Sequence, residues 1–334
     1  MNHNPESPSS HGIALVFGGG GSAGNAWQLG VIAGLADAGY DLTELADLVI
    51  GTSAGSTAGA AVRSGIPAAE LYEAALLAPP RPGGAAAASG AESASGTATA
   101  APEGSGGRPQ GRPQGIPQQE LFERLRAIGA AAGTAEELHR ALGAFALESD
   151  AVLRPGAEQR RALVASRLPR QDWPERPLLV VALNARTGEL VTFDRTSGVD
   201  LADAVTASTA LPGGTATHVI DGEHYINGGV RSAENADLAA GYATVIVLSP
   251  FGGPDWQRPG QFEGIRRFPG YGLDDQVEAL RAHGSRVVVI TPDPASLEAM
   301  GANQMDPATR PPSARAGFAQ GRREAVRVVA VSGV

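Results

Sequence analysis

The chain of 334 residues has no cysteine, which excludes disulfides, a thiolate nucleophile and thiolate metal ligation. It has no lysine either, so all 26 basic residues are arginine, against 35 acidic residues and a net charge of −9. That balance argues against nucleic acid as a partner, because phosphate binding needs a basic face. No apolar run approaches the length of a membrane span. Behind the polar stretch Met1 to Ser10, Ile13 to Phe17 is too short for a signal-peptide core. The histidines lack the close helical pairing of zinc ligands and the acids are dispersed, so no metal and no cofactor are expected. A soluble cytoplasmic protein is the default expectation.

What is present is an alternation of apolar runs and glycine-rich breaks. Ile13 to Phe17 reads as a buried strand, broken by Gly18 to Gly21, with a helix over Ala26 to Ala38. Asp47 to Ile50 is a second strand, followed by a turn, a helix, and a further helix over Ala68 to Leu77. This order implies parallel strands with right-handed crossovers. From Pro79 to Pro117 the composition turns to Pro, Gly, Ala, Ser and Arg, which reads as a flexible insertion. Helices resume over Gln118 to Ala130, Ala135 to Phe145 and Ala157 to Ser166. Strands follow at Leu178 to Leu183 and Leu190 to Phe193, then a helix at Leu201 to Ser208 and a hairpin turning at Asp221-Gly222. Two more strands, Ala243 to Leu248 and Arg286 to Thr291, flank a helix at Leu273 to Ala282, and a helix over Ser313 to Val331 closes the chain. The expectation is one three-layer α/β/α domain over residues 12–334 with a mostly parallel central sheet, behind a disordered segment 1–11.

Gly51-Thr52-Ser53-Ala54-Gly55 follows the second strand directly. A serine between glycines on a strand-to-helix turn is the arrangement that exposes a hydroxyl as a nucleophile. The bland alternative is a glycine-rich turn in which Ser53 caps the next helix. A nucleophile also needs an oxyanion hole, and Gly18 to Gly24 ends the neighbouring strand, so its bare amides should open on the same sheet edge. The same stretch fits a dinucleotide turn, Gly19-x-Gly21-x-x-Gly24. That alternative wants an acid at the end of the second strand. Asp37, Asp41 and Glu44 come too early for it.

In this order, the glycine loop, the Gly-x-Ser-x-Gly turn and the late Tyr225-Ile226-Asn227-Gly228-Gly229-Val230 make the chain resemble the patatin-like phospholipases. Val180 to Leu183 with Thr187 to Glu189, and Ala207 to Pro212, resemble linking segments of that family. The resemblance implies a Ser-Asp dyad without histidine, acting on lipid or other acyl esters through an acyl-enzyme, with transient contact at a membrane surface. Carried over, Ser53 is the nucleophile, Gly19, Gly20 and Gly21 supply the oxyanion hole, Gly51 and Gly55 shape the turn, and position 227 holds the base.

Two departures stand out. Position 227 is asparagine, whose carboxamide has no lone pair basic enough to take a proton, and the family's frequent basic residue before the loop's last glycine is Ala23. The sequence therefore leaves open an impaired acyl hydrolase or acyltransferase, an inactive acyl-binding homologue or one engineered to be inactive, and a nucleotide-binding module. Substitute bases would have to come from Asp194, Asp221, Asp237, His218 or His224. His283, His139, His3 and His11 lie in unsuitable places. Acyl preference, acceptor and oligomeric state are not legible.

Overall fold

The computed structural model describes residues 12–77, 118–253 and 268–333. The expected disordered segment 1–11 and flexible insertion at 79–117 lie outside the described residues. In chain order the elements are β1 (Ile13–Phe17), α1 (Gly21–Asp37), α2 (Leu42–Leu45), β2 (Leu48–Thr52), α3 (Ala54–Val62), α4 (Ala68–Leu76), α5 (Gln118–Ala131), α6 (Ala135–Leu153) and α7 (Ala157–Ala165). They continue as β3 (Leu178–Asn184), β4 (Leu190–Phe193), α8 (Leu201–Ser208), β5 (His218–Ile220), β6 (Glu223–Asn227), β7 (Thr244–Leu248), α9 (Leu273–Ala282), β8 (Arg286–Ile290), α10 (Pro294–Met300) and α11 (Arg310–Ser332).

The eight strands form one mixed sheet in the order β5-β6-β3-β2-β1-β7-β8, with β4 also paired to β3. The strands β3, β2, β1, β7 and β8 run parallel. Period-two alternation divides the core. Ile13, Leu15 and Phe17 pack with α1, α3, α4, α8 and α11, while Ala14 and Val16 pack with α9 and Ala236 on the other face. Helices thus cover both faces of the sheet, as the near-continuous apolar parallel strands require.

The local pairing of β3 positions the site. Its Val180 and Val181 pair with both β2 and β4, and its Ala182 and Leu183 pair with both β4 and β6. A strand has two edges, so β2 and β6 share one edge of β3 and β4 takes the other. Thr52 faces Val181 and Asn227 faces Ala182, on consecutive residues of β3. The ends of β2 and β6 therefore meet head to head.

Two expectations are corrected. Helix α1 begins at Gly21, not Ala26, because the glycine run enters the helix directly: a Cβ on Gly20 or Gly24 would stand 2.5 or 2.9 Å from Pro250 Cβ. That close approach outweighs the poor helix propensity of glycine. Helix α6 runs on past Phe145 to Leu153. The sequence also hid α2 and α10, each too short to show a helical period.

Helices α1 and α11 pack backbone to backbone. A Cβ on Gly30, Gly34, Gly317 or Gly321 would lie 2.2 to 2.3 Å from a carbonyl oxygen of the facing helix. Gly30→Ala should therefore destabilise the protein by roughly 1 to 3 kcal/mol, although helix propensity alone favours alanine by about 0.5 to 1 kcal/mol. Gly156→Ala, with nothing within 4 Å of the new Cβ, should be near neutral. Urea unfolding midpoints of the two variants check the difference.

Candidate active site

Ser53 sits between β2 and α3 with φ 56° and ψ −124°, a sparsely populated conformation for a residue with a side chain. Its flanking glycines are required by contact. A Cβ on Gly55 would lie 2.1 Å from the Phe17 carbonyl oxygen, and one on Gly51 would lie 2.5 Å from Ser56 Cα. The Ser53 amide donates to Ser208 Oγ at 2.9 Å, and the Ser53 carbonyl accepts from Ser56 Oγ at 2.6 Å. Ser53 is half-buried and its hydroxyl stands at the carboxyl edge of the sheet.

Asn227, 8% exposed, closes the pair. Its Nδ2 donates to Ser53 Oγ at 2.9 Å, and its Oδ1 accepts from the Gly229 amide at 2.7 Å. The Gly229 N–H decides the orientation of the carboxamide, since the flipped form would set a donor against a donor. The Asn227 amide donates to Ala210 O at 2.8 Å. Ser53 Oγ is therefore an acceptor from Asn227, and its own proton points elsewhere.

The glycine loop lies against the same serine. A Cβ on Gly19 would stand 3.4 Å from Ser53 Cβ. The Gly19 amide differs from the expectation that it serves an oxyanion. It donates to Ala233 O at 2.8 Å, because the segment after β6 crosses the end of β1. The Gly20 and Gly21 amides donate to no other described residue. Gln28 holds the loop from below, with Nε2 donating to Gly18 O at 2.7 Å. The N-termini of α1 and α3 converge here, bringing the positive ends of two helix dipoles.

The alternative bases are engaged elsewhere. His218 Nε2 lies 2.8 Å from Asp203 Oδ1, and His224 Nδ1 lies 2.7 Å from Thr217 Oγ1. Asp237 pairs with Arg231 at 2.6 Å. Asp194 Oδ1 accepts from Thr196 and Ser197, which outweighs burial and holds its carboxyl below the ordinary range. Asp221 is exposed in the hairpin turn with φ 51°. His283 bonds Ala279 O, His139 is buried against the Tyr271 ring, and His3 and His11 lie outside the described residues. None of these alternative bases within the described residues hydrogen-bonds to Ser53.

Sequence reasoning missed three supports: Ser208, Gln28 and Asn235. Fully buried Asn235 donates from Nδ2 to Thr52 Oγ1 at 3.1 Å and to Gly228 O at 3.3 Å, tying the end of β2 to the end of β6. Its left-handed φ of 53° is a conformation that asparagine tolerates better than most residues, the one trace it leaves in the sequence. Among the described residues there is no group of three or more histidine or acidic side chains able to hold a metal ion. No described helix is long and apolar enough to cross a membrane.

A family model described as patatin-like phospholipase matches residues 15–240. No curated protein matches the chain.

Burial lowers the proton affinity of His218 below that of a free imidazole, and nearby Asp203 only partly offsets it, with Arg160 and Arg161 adding repulsion. The unfolded chain then binds more protons as pH falls below about 6.5, so His218 contributes stability that is present above that pH and lost through its lower folded pKa. Unfolding free energy should decline from about pH 7.5 to 5.5, with a shallower slope in His218→Gln. Urea titrations across that window check this, and equal slopes would contradict it.

Proposed function

Because the chain belongs to the patatin-like phospholipase family, we propose that it is a serine acyl hydrolase or acyltransferase acting on lipid or other acyl esters through an acyl-Ser53 intermediate. The hydrogen bond of 2.9 Å between Ser53 Oγ and Asn227 Nδ2 carries this reading. It supports the reading because the residue expected at the dyad-base position touches the residue expected as nucleophile. Ser53 Oγ attacks the ester carbonyl carbon, and the resulting oxyanion meets the amides of Gly20 and Gly21, joined by that of Ala54 at the start of α3. Collapse breaks the ester C–O bond and releases the alkoxide, which leaves as the alcohol on taking up the proton given up by Ser53, and water or another acceptor then resolves the acyl-enzyme. A cytoplasmic enzyme meeting its substrate at a membrane surface fits the absence of a spanning helix among the described residues.

In this reading the chain is impaired as written. A general base is typically worth about two to four powers of ten, and the Asn227 carboxamide donates to Ser53 where an aspartate would accept. An aspartate in the same place would keep one oxygen on the Gly229 amide and turn the other toward the Ser53 proton. Residual turnover would come from the oxyanion donors and binding alone. The second reading, an inactive acyl-binding homologue or one engineered to be inactive, rests on the same donated hydrogen bond. A nucleotide module has less to stand on, since β2 ends in Gly51-Thr52 and offers no acid for a ribose.

Asn227→Asp should raise 4-nitrophenyl ester hydrolysis by roughly a hundredfold or more and allow fluorophosphonate labelling of Ser53. Adding Ser53→Ala should abolish both. A folded Asn227→Asp protein that stays inert would remove the hydrolase reading and leave the acyl-binding one.

A further inference from the structure

The end of α6, the turn between β3 and β4 and the strand β6 bound an open cavity of about 720 Å³. Leu147 and Ala151 of α6, with Pro155 just after it, form an apolar wall. Asp150 and Arg154 of α6, Arg186 of the turn and His224 of β6 supply its polar lining. The cavity is separate from the Ser53 site. Tyr225 packs into the core shared with α1 and α8, whereas Ile226 packs against Ala146 of α6. Side chains alternate along a strand, so Tyr225 and Asn227 face one way and His224 and Ile226 the other. His224 also stands three residues, about 10 Å of strand, from Asn227.

Two of the four polar groups are used by the fold itself. Asp150 Oδ1 accepts from the Thr217 amide at 2.8 Å, and its Oδ2 lies 2.7 Å from Thr217 Oγ1 and pairs with Arg154. Arg154 also donates from Nη1 to Thr217 O at 3.0 Å and from Nη2 to Thr217 Oγ1 at 2.9 Å. These bonds tie α6 to the start of β5, and the ion pair within them is neutral. The other two groups are left over. His224 turns Nδ1 to Thr217 Oγ1 at 2.7 Å and to Arg154 Nη2 at 3.3 Å, while its Nε2 has no partner among the described residues. A guanidinium only donates, so Nδ1 beside it is the acceptor and this contact assigns the ring proton to Nε2. Arg186 is exposed, and its guanidinium makes no hydrogen bond or ion pair among the described residues. The Ala185 amide donates to His224 O at 2.7 Å, which sets Arg186 next to His224.

We infer that this cavity is a second binding site, for a small monocarboxylate with an apolar body. Asp150 and Arg154 cancel, so the unpaired Arg186 gives the lining a single positive charge, the complement of one carboxylate. The carboxylate takes the planar N–H fork of Arg186 and the N–H of His224 Nε2, and the hydrocarbon body lies along Leu147, Ala151 and Pro155. A phosphate dianion would call for a second free cation, and Asp150 already holds Arg154. Volume sets the size of the body. One water occupies about 30 Å³ of liquid, so the cavity far exceeds what acetate fills and lies within the range of small-molecule sites, about 300 to 1,000 Å³. The inference is independent of the hydrolase reading, since neither Ser53 nor Asn227 lines the cavity.

The test titrates the full chain calorimetrically with 3-phenylpropionate, with its neutral analogue 3-phenylpropionamide, and with acetate. Saturable binding of 3-phenylpropionate is expected, with the amide and acetate each weaker by about tenfold or more. Arg186→Glu, at an exposed side chain without a partner among the described residues, should weaken 3-phenylpropionate by about tenfold or more. Ala151→Trp, at an exposed position of the cavity wall, should do the same by filling space with the charges untouched. Urea unfolding midpoints matching that of the unsubstituted chain show that both variants are folded. No saturable binding, or amide and carboxylate binding alike, would overturn the site. So would binding that neither substitution moves, since the carboxylate would then sit elsewhere. An Asn227→Asp protein that stays inert toward esters yet binds 3-phenylpropionate through Arg186 would remove the hydrolase reading and leave this site standing.

Discussion

The site depends on one steric contact: the backbone of Gly55 pressed against the carbonyl of Phe17. A Cβ there would stand 2.1 Å from that oxygen, so only glycine lets α3 start this close to the end of β1. With the helix start fixed, the chain has a single residue in which to turn from β2 into α3. That residue is Ser53, forced to φ 56° and ψ −124°. Such a conformation costs on the order of 1 to 3 kcal/mol, offset by the amide bond to Ser208 and the carbonyl bonds to Ser56. In that conformation Ser53 Oγ meets Asn227 Nδ2 at 2.9 Å. The loop that would stabilise an oxyanion is brought within van der Waals range by the same compression, Gly19 lying beside Ser53 Cβ.

A second consequence follows from the sheet. Because β2 and β6 share one edge of β3 and end opposite its consecutive residues Val181 and Ala182, the partner of Ser53 is delivered by strand register. Asn235 then bolts the two strand ends together through Thr52 and Gly228 O. This scaffold is indifferent to whether position 227 carries an amide or a carboxylate, since the two are nearly isosteric and Gly229 donates to either. What changes is the direction of the hydrogen bond to Ser53. The geometry of the pair is thus set by the backbone, and in the hydrolase reading proposed above reactivity would turn on that one atom.

Much of this was legible before any coordinates. The apolar runs marked the strands along the chain but not their order in the sheet, and Ser53 and the Gly18 to Gly21 stretch stood out because short motifs on strand ends have fixed backbone needs. The start of α1 was not legible, since the glycines there are explained only by residues far along the chain, Gly20 and Gly24 by Pro250 and Gly21 by the carbonyl of Gln304. The role of Gly19 also depended on a distant partner, the carbonyl of Ala233. Ser208, Gln28 and Asn235 are ordinary polar residues whose meaning comes from what folding sets beside them. Arg310 is the extreme case: it meets Asn25 across 285 positions of sequence, and nothing local to either residue announces the contact.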